Sequence, residues 1–94
     1  MAIKSFRDRA TEAIFNGQFA KAFGPDVSKI ALRKLTYLHA ARQLDQLRIP
    51  PANRLEALKG DRRGQHSIRV NDQFRICFRW REGDAFDVEL TDYH

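Results

Sequence analysis

Cys77 is the only cysteine in 94 residues. No internal disulfide can staple the fold, and a reducing, cytoplasmic setting is expected. Cys77 itself reads as a small strand residue rather than a nucleophile. No apolar run approaches the roughly 18 residues of a membrane span. The opening residues, MAIKSFRDRA, lack the apolar stretch of a secretory signal. His39, His66 and His94 fall into no zinc-type spacing, and there is neither a glycine-rich phosphate loop nor a nucleophile elbow. No metal site and no cofactor is therefore expected. Repeats, low-complexity tracts and composition breaks are also missing, so residues 1–94 are expected to form one domain. With 43% hydrophobic residues, that domain can bury a modest core.

Basic side chains are absent from one segment and dense in the others. The formal net charge is +5. Residues 1–53 carry nine basic and four acidic side chains, residues 54–81 eight and three, and residues 82–94 none and five. Such a balance suits a polyanion or an acidic protein partner. Charge alone does not choose among RNA, DNA and protein.

What is present is a stretch in which two patterns share one period. In residues 54–80, RLEALKGDRRGQHSIRVNDQFRICFRW, the apolar set Ile68, Val70, Phe74, Ile76, Phe78 and Trp80 alternates with Arg69, Arg75, Arg79 and Arg81 just beyond. Side chains alternate faces along a strand, so each run has a core face and a cationic face. Asn71-Asp72-Gln73 is the turn between them. A two-residue loop would oppose Ile68 to Arg75 and mix the faces. A three-residue loop, 71–73, opposes Val70 to Phe74, Ile68 to Ile76 and Arg69 to Arg75, and a buried face enforces that register. Two arginines then stand directly opposed, at a cost of about 0.2–1 kcal/mol. A solvated basic face is the ordinary explanation. The other is an anion site, because arginine forks fit phosphate oxygens bidentately.

Taken in order, residues 2–6 read as a short strand. Asp8 or Arg9 opens a short helix that stops near Gly17. Phe19 and Phe23 tuck under the helices, and Asp26 caps a main helix over about 26–47. Val27, Ile30, Ala31, Leu35, Leu38, Ala41 and Leu44 form its buried stripe. Lys29, Arg33, Lys34, Arg42 and Asp45 form its solvated side, or Arg33 and Lys34 extend a cationic surface. Tyr37 and His39 read as packing residues. Pro50-Pro51 ends the helix in a stiff linker. Arg54–Lys59 is a strand, Gly60–Gly64 a charged loop, and Ala85–Leu90 a last strand with Phe86, Val88 and Leu90 on the core side. The fold class is α+β: an N-terminal strand, two helices, then antiparallel strands in a sheet with helices packed on one side.

Arginines, Lys59, His66 and the terminal Tyr93-His94 are enough for RNA cleavage without a metal. That reaction needs a base for the 2′-hydroxyl, cations for the phosphorane and an acid for the leaving 5′-oxygen. An imidazole suits the proton transfers. A terminal histidine is by itself more often a mobile end than a catalyst.

The order of elements, the segment Leu58-Lys59-Gly60-Asp61-Arg62, the run Ser67-Ile68-Arg69-Val70-Asn71 leading to Phe74-Arg75-Ile76, and the ending Asp92-Tyr93-His94 together resemble the HigB toxins. These belong to the RelE/ParE superfamily of bacterial type II toxin–antitoxin systems, and the resemblance covers nearly the whole chain. It implies a toxin that cuts mRNA on the translating ribosome. It also implies a neighbouring HigA-type helix-turn-helix antitoxin, which neutralises the toxin and carries it to operator DNA. By the same resemblance, Arg75 meets the scissile phosphate, and Asp92, Tyr93 and His94 form the catalytic end. Lys59, Arg62, Arg63, Arg69 and Arg79 are the expected RNA-binding cations. Glu56 stands where some HigB proteins have a catalytic histidine, so either Glu56 acts as base or His66 supplies the imidazole.

Two other functions compete. One is a toxin of the same fold without nuclease activity, poisoning a topoisomerase or ribosome assembly; such members tend to lack the terminal catalytic side chains. The other is a module that only represses transcription. The polar strand face offers no aromatic platform for bases, so a nuclease of this design needs its mRNA presented by the ribosome.

Overall fold

The first helix begins where the sequence supplies an acceptor. Asp8 Oδ1 accepts from the Thr11 amide at 2.8 Å, and α1 runs Arg9–Phe15. Gly17, at φ +84, turns the chain out of it. A computed structural model describes residues 2–18 and 20–92; the expectation for Phe19 lies outside them.

The second helix, α2, spans Gly24–Ala40 rather than about 26–47. Gly24 and Pro25 start it, and Asp26 lies in the first turn rather than at the cap. There its charge complements the helix dipole. The helix ends early because Gln46 Oε1 accepts from the amides of Arg42 and Gln43, at 2.7 and 3.2 Å. Those bonds open a separate 3-10 turn, Leu44–Arg48, which buries Leu47 instead of extending the stripe. A second 3-10 turn, Pro51–Asn53, follows.

Four strands then form one antiparallel sheet in sequence order: β1 Glu56–Ala57, β2 His66–Arg69, β3 Phe74–Arg81 and β4 Asp84–Asp92. The expected strand at 54–59 is reduced to two paired residues, because Arg54 adopts a left-handed φ of 46° and Lys59 leads into a 3-10 turn. The N-terminal strand takes the form of two isolated parallel bridges to β4, Ile3 to Ala85 and Phe6 to Val88. It thereby covers an edge that would otherwise offer unpaired backbone.

The hairpin has the register its apolar pattern demands. Ile68 pairs with Ile76 and Arg69 with Arg75, while the Val70 amide meets the Phe74 carbonyl at 3.0 Å. Ile68, Ile76 and Phe78 join Leu35, Leu38, Ala31 and Ile14 from the helices in the core, all at 1% exposure or less.

One strand departs from simple alternation. Cys77 pairs with Glu89 but Arg79 pairs with Phe86, so the register shifts between them. Asp87, at φ +53, takes up the extra residue as a β-bulge. Ala85, Val88 and Leu90 are buried, whereas Phe86 moves to the opposite face. Its expected place in the core is therefore wrong. On the outer face the Arg81 guanidinium lies over its ring, 5.0 Å from the centroid.

Lys34 also departs from the helical wheel's solvated side, with only 5% exposure. Its Nζ donates to Asn53 Oδ1 at 2.6 Å. Asn53, itself fully buried, donates through Nδ2 to the Leu47 and Ile49 carbonyls at 3.1 and 3.4 Å. One amide thus fastens α2 to both 3-10 turns. The Lys34 pKa is lowered, first by burial and then by the nearby Arg33 and Arg69 charges.

Asn53→Ala strands a buried ammonium and two carbonyls. It should destabilise the fold by about 3 kcal/mol, lowering Tm by about 10–20 °C. Adding Lys34→Met should recover part of that loss. Thermal unfolding by circular dichroism measures both; an unchanged Tm for Asn53→Ala would remove this amide from the framework.

Candidate functional site

The register that buries the isoleucines sets the opposite side chains in two rows across the sheet. One row is Glu56, Ser67, Cys77 and Glu89; the next is Arg69, Arg75 and Thr91. Ser67 and Cys77 are wholly buried although they face away from the helices. Burial, the largest influence on Cys77, raises its thiol pKa, which suits an inert thiol rather than a nucleophile.

Arg75 is held on this face by two hydrogen bonds. Its Nε donates to Ser67 Oγ at 2.8 Å, and its Nη2 donates to the Arg54 carbonyl at 2.8 Å. Glu56 Oε1 lies 3.8 Å from Nη2, too far for a hydrogen bond. The Arg75 side chain is 14% exposed against 55% for Glu56. The opposed arginines diverge: Arg69 pairs with Asp72 on the turn, while Arg75 is drawn towards β1. Local acceptors thus already offset the repulsion that the register creates.

The other expected RNA-binding residues form a looser fringe. Arg62 Nη1 donates to Gln65 Oε1 and Glu89 Oε1, both at 3.1 Å. Arg79 Nε is 3.8 Å from Asp87. Its guanidinium also passes so close to Gly64 that a Cβ there would meet Nη1 at 2.9 Å. Lys59 and Arg63 are exposed on the loop between β1 and β2, and neither forms an ion pair among the described residues. The fold therefore gathers Arg75, Glu56 and Arg69 closely, with Arg62 and Arg79 further along the face.

Asp92 closes β4 opposite Phe74, and its Oδ2 accepts from Gln73 Nε2 at 3.1 Å. By pairing it lies on the Phe74 side of the sheet, one residue beyond Thr91, the partner of Arg75. Tyr93 and His94 lie outside the described residues. His66 faces the core side, its ring stacked 6.2 Å from that of Phe78. Its Nδ1 is buried without a partner among the described residues, so this imidazole points away from Arg75.

Two groups in the site were not singled out from the sequence. Ser67 has the parity of Arg69, so the hairpin register alone assigned it to the cationic face. The Arg54 carbonyl gave no such signal, because only the left-handed turn after Asn53 aims it at Arg75. Among the described residues, no three His, Cys, Asp or Glu side chains group to hold a metal ion.

Comparison with known proteins gives this geometry a setting. Residues 4–94 match a family model described as the RelE-like toxin of the type II toxin–antitoxin system HigB. Toxin HigB-1 of Vibrio cholerae serotype O1 is 41% identical over 89 residues, covering 94% of each chain. Endoribonuclease HigB of Proteus vulgaris is 34% identical over 93 residues, covering 98% of this chain and 99% of the relative. A Haemophilus influenzae protein described as uncharacterized is 36% identical over 65 residues, covering 69% of this chain and 64% of its own.

Burial lowers the His66 pKa below 6.5. Between that lowered value and 6.5 the unfolded chain binds more protons than the folded one, so stability rises with pH. The contribution is complete above 6.5 and is lost as the pH falls through the folded value. His66→Phe should flatten this acid-side slope in denaturant titrations run at several pH values. Parallel slopes for the two proteins would contradict a neutral, partly buried His66.

Proposed function

The chain belongs to the HigB-like family of toxins from type II toxin–antitoxin systems, and from that premise we propose that it is an endoribonuclease acting on mRNA at the ribosome. The family implies an antitoxin as its partner. The observation that carries the catalytic reading is the anchored Arg75. A guanidinium oriented by two neutral acceptors is prepared for a phosphate, and preorganised charge usually contributes most to catalysis of this kind.

In the proposed reaction the 2′-hydroxyl loses its proton to a base and attacks the adjacent phosphorus. The new oxygen–phosphorus bond closes a 2′,3′-cyclic phosphate as the bond to the 5′-oxygen breaks. An acid protonates that departing oxygen. Arg75 holds the non-bridging oxygens as charge builds, and Lys59 contributes a second cation from the adjoining loop. Glu56, on β1 with β2 between it and the strand of Arg75, has its carboxylate 3.8 Å from Nη2 and serves as base in this reading. Asp92, Tyr93 and His94 complete the proposed set, with His94 as the proton-transferring imidazole.

Residues 1–94 act in this reading as one cytoplasmic domain. Arg62, Arg63, Arg69 and Arg79 contact the RNA backbone, giving binding that weakens steeply with salt. Phe86 is the one aromatic ring the bulge brings to that face, and Arg81 already covers it. Bases therefore gain little from stacking there, and the ribosome must present the mRNA. The antitoxin is a helix-turn-helix protein of the HigA type, and the toxin meets operator DNA only through it.

A second reading rests on Glu56. A carboxylate beside Arg75 repels phosphate, which favours a toxin of this fold that arrests growth without cutting RNA. Mapping mRNA 5′ ends after induction separates the two. The expected result is new ends within translated frames in cells making the wild-type chain, and none with Arg75→Ala. Cleavage by purified toxin on programmed ribosomes should fall about 10²–10³-fold in Arg75→Ala, with the fold intact by circular dichroism. Growth arrest without new 5′ ends would establish the second reading, and unchanged cleavage by folded Arg75→Ala would remove Arg75 from the site.

A further inference from the structure

Two groups orient the guanidinium that the proposed reaction depends on. A guanidinium offers hydrogen bonds along two usable edges. The side edge carries Nε–H and the nearer Nη2–H; the terminal edge carries one N–H from each Nη. At Arg75, Nε donates to Ser67 Oγ and Nη2 to the Arg54 carbonyl, each at 2.8 Å, which occupies the side edge when Nη2 uses its nearer N–H. Nη1 makes no hydrogen bond among the described residues.

We infer that Ser67 and the Arg54 carbonyl are positioning groups that hold Arg75 by its side edge and turn its terminal edge towards the scissile phosphate. This rests on the reading that Arg75 meets that phosphate. Both holders are firmly placed. Ser67 is wholly buried, in the middle of the sheet between Glu56 and Cys77. The Arg54 carbonyl is aimed by a left-handed residue, φ 46° and ψ 58°, that follows the turn fixed by Asn53 and Lys34.

The acceptors are also suited to the role chemically. Both are neutral, so they orient the guanidinium without neutralising it. The bond to Ser67 is part-buried and that to the Arg54 carbonyl is exposed. The guanidinium thus runs from the sheet interior to the surface, where an RNA backbone can reach its far edge. A phosphate can then be gripped with two parallel bonds, and the side chain loses little further freedom on binding. Lysine could not replace Arg75 here, because one ammonium cannot be held from one side and present a fork on the other.

The test uses the full chain and programmed ribosomes. In the wild-type protein, the Arg75 Nε–H observed by NMR should exchange with water at least about tenfold more slowly than that of exposed Arg63. Ser67→Ala, a smaller residue at a buried position, should remove most of that protection. Its single-turnover cleavage at saturating toxin should fall about 10- to 100-fold, the range for a misplaced catalytic group. Affinity for ribosomes holding a 2′-deoxy, uncleavable mRNA should change less than about twofold, the split expected of an interaction made in the transition state. Ser67→Cys, of similar size but a weaker acceptor, should fall between the two.

Wild-type cleavage by folded Ser67→Ala would overturn the inference, as would rapid Nε–H exchange in the unsubstituted chain. That second measurement needs no variant, so it decides even if Ser67→Ala fails to fold. If the wild-type chain cuts no mRNA on ribosomes, the nuclease reading fails. Slow Nε–H exchange that is lost in Ser67→Ala would then still uphold the clamp, and rapid exchange would overturn that as well.

Discussion

The pairing of Ile68 with Ile76 fixes the geometry on which the site depends. Both side chains are fully buried, and a shift of one residue would turn them to the other face. With that pairing set, the opposed arginines follow without further choice. Ser67 also comes to lie diagonally across from Arg75, within reach of its Nε. The core therefore specifies the site by exclusion. Apolar burial determines where the arginines cannot go, and the alternation of the strands does the rest.

A second constraint acts from outside the sheet. Lys34 is buried as an ammonium against one amide, an arrangement that contributes little stability compared with a well-packed apolar pair. Its effect is geometric. Asn53 uses its oxygen on Lys34 and its nitrogen on two carbonyls, so both 3-10 turns are held to α2. The next residue, Arg54, then turns left-handed and its carbonyl meets Arg75. A buried polar pair beneath the site thus reaches it through a single turn of chain.

This division also explains what the sequence disclosed. The hairpin was legible because two periodic signals, apolar and basic, agreed on one register. The α+β class, the first helix and the cationic face followed from patterns of the same local kind. The end of α2 was not legible, because Leu44 continues the helical stripe while the Gln46 side chain draws the backbone into a new turn. Phe86 was misplaced because a bulge at Asp87 breaks the period of two, and no glycine marks it. Lys34 was misread because a helical wheel cannot show an asparagine nineteen positions away. Within the site, Arg75 and Arg69 were legible from parity, but a backbone carbonyl acting as an orienting acceptor has no side-chain signature.

The relation between Glu56 and Arg75 turns on how the two charges compete with a phosphate. Glu56 is over half exposed and stands 3.8 Å from Nη2 without a hydrogen bond. Surface pairs of that kind are worth about 0–1 kcal/mol and weaken with salt. A phosphate meeting the open terminal edge forms two charge-assisted bonds at shorter range. It also meets a guanidinium whose orientation is already fixed. The carboxylate therefore tempers the local positive field without closing the site. In the proposed reaction it is the group that takes the 2′-hydroxyl proton. In that proposed role the same closeness that lowers phosphate affinity would put an acceptor near the reacting group, so a carboxylate here would exchange some binding for proton transfer, provided the anchored arginine supplies the rest of the attraction.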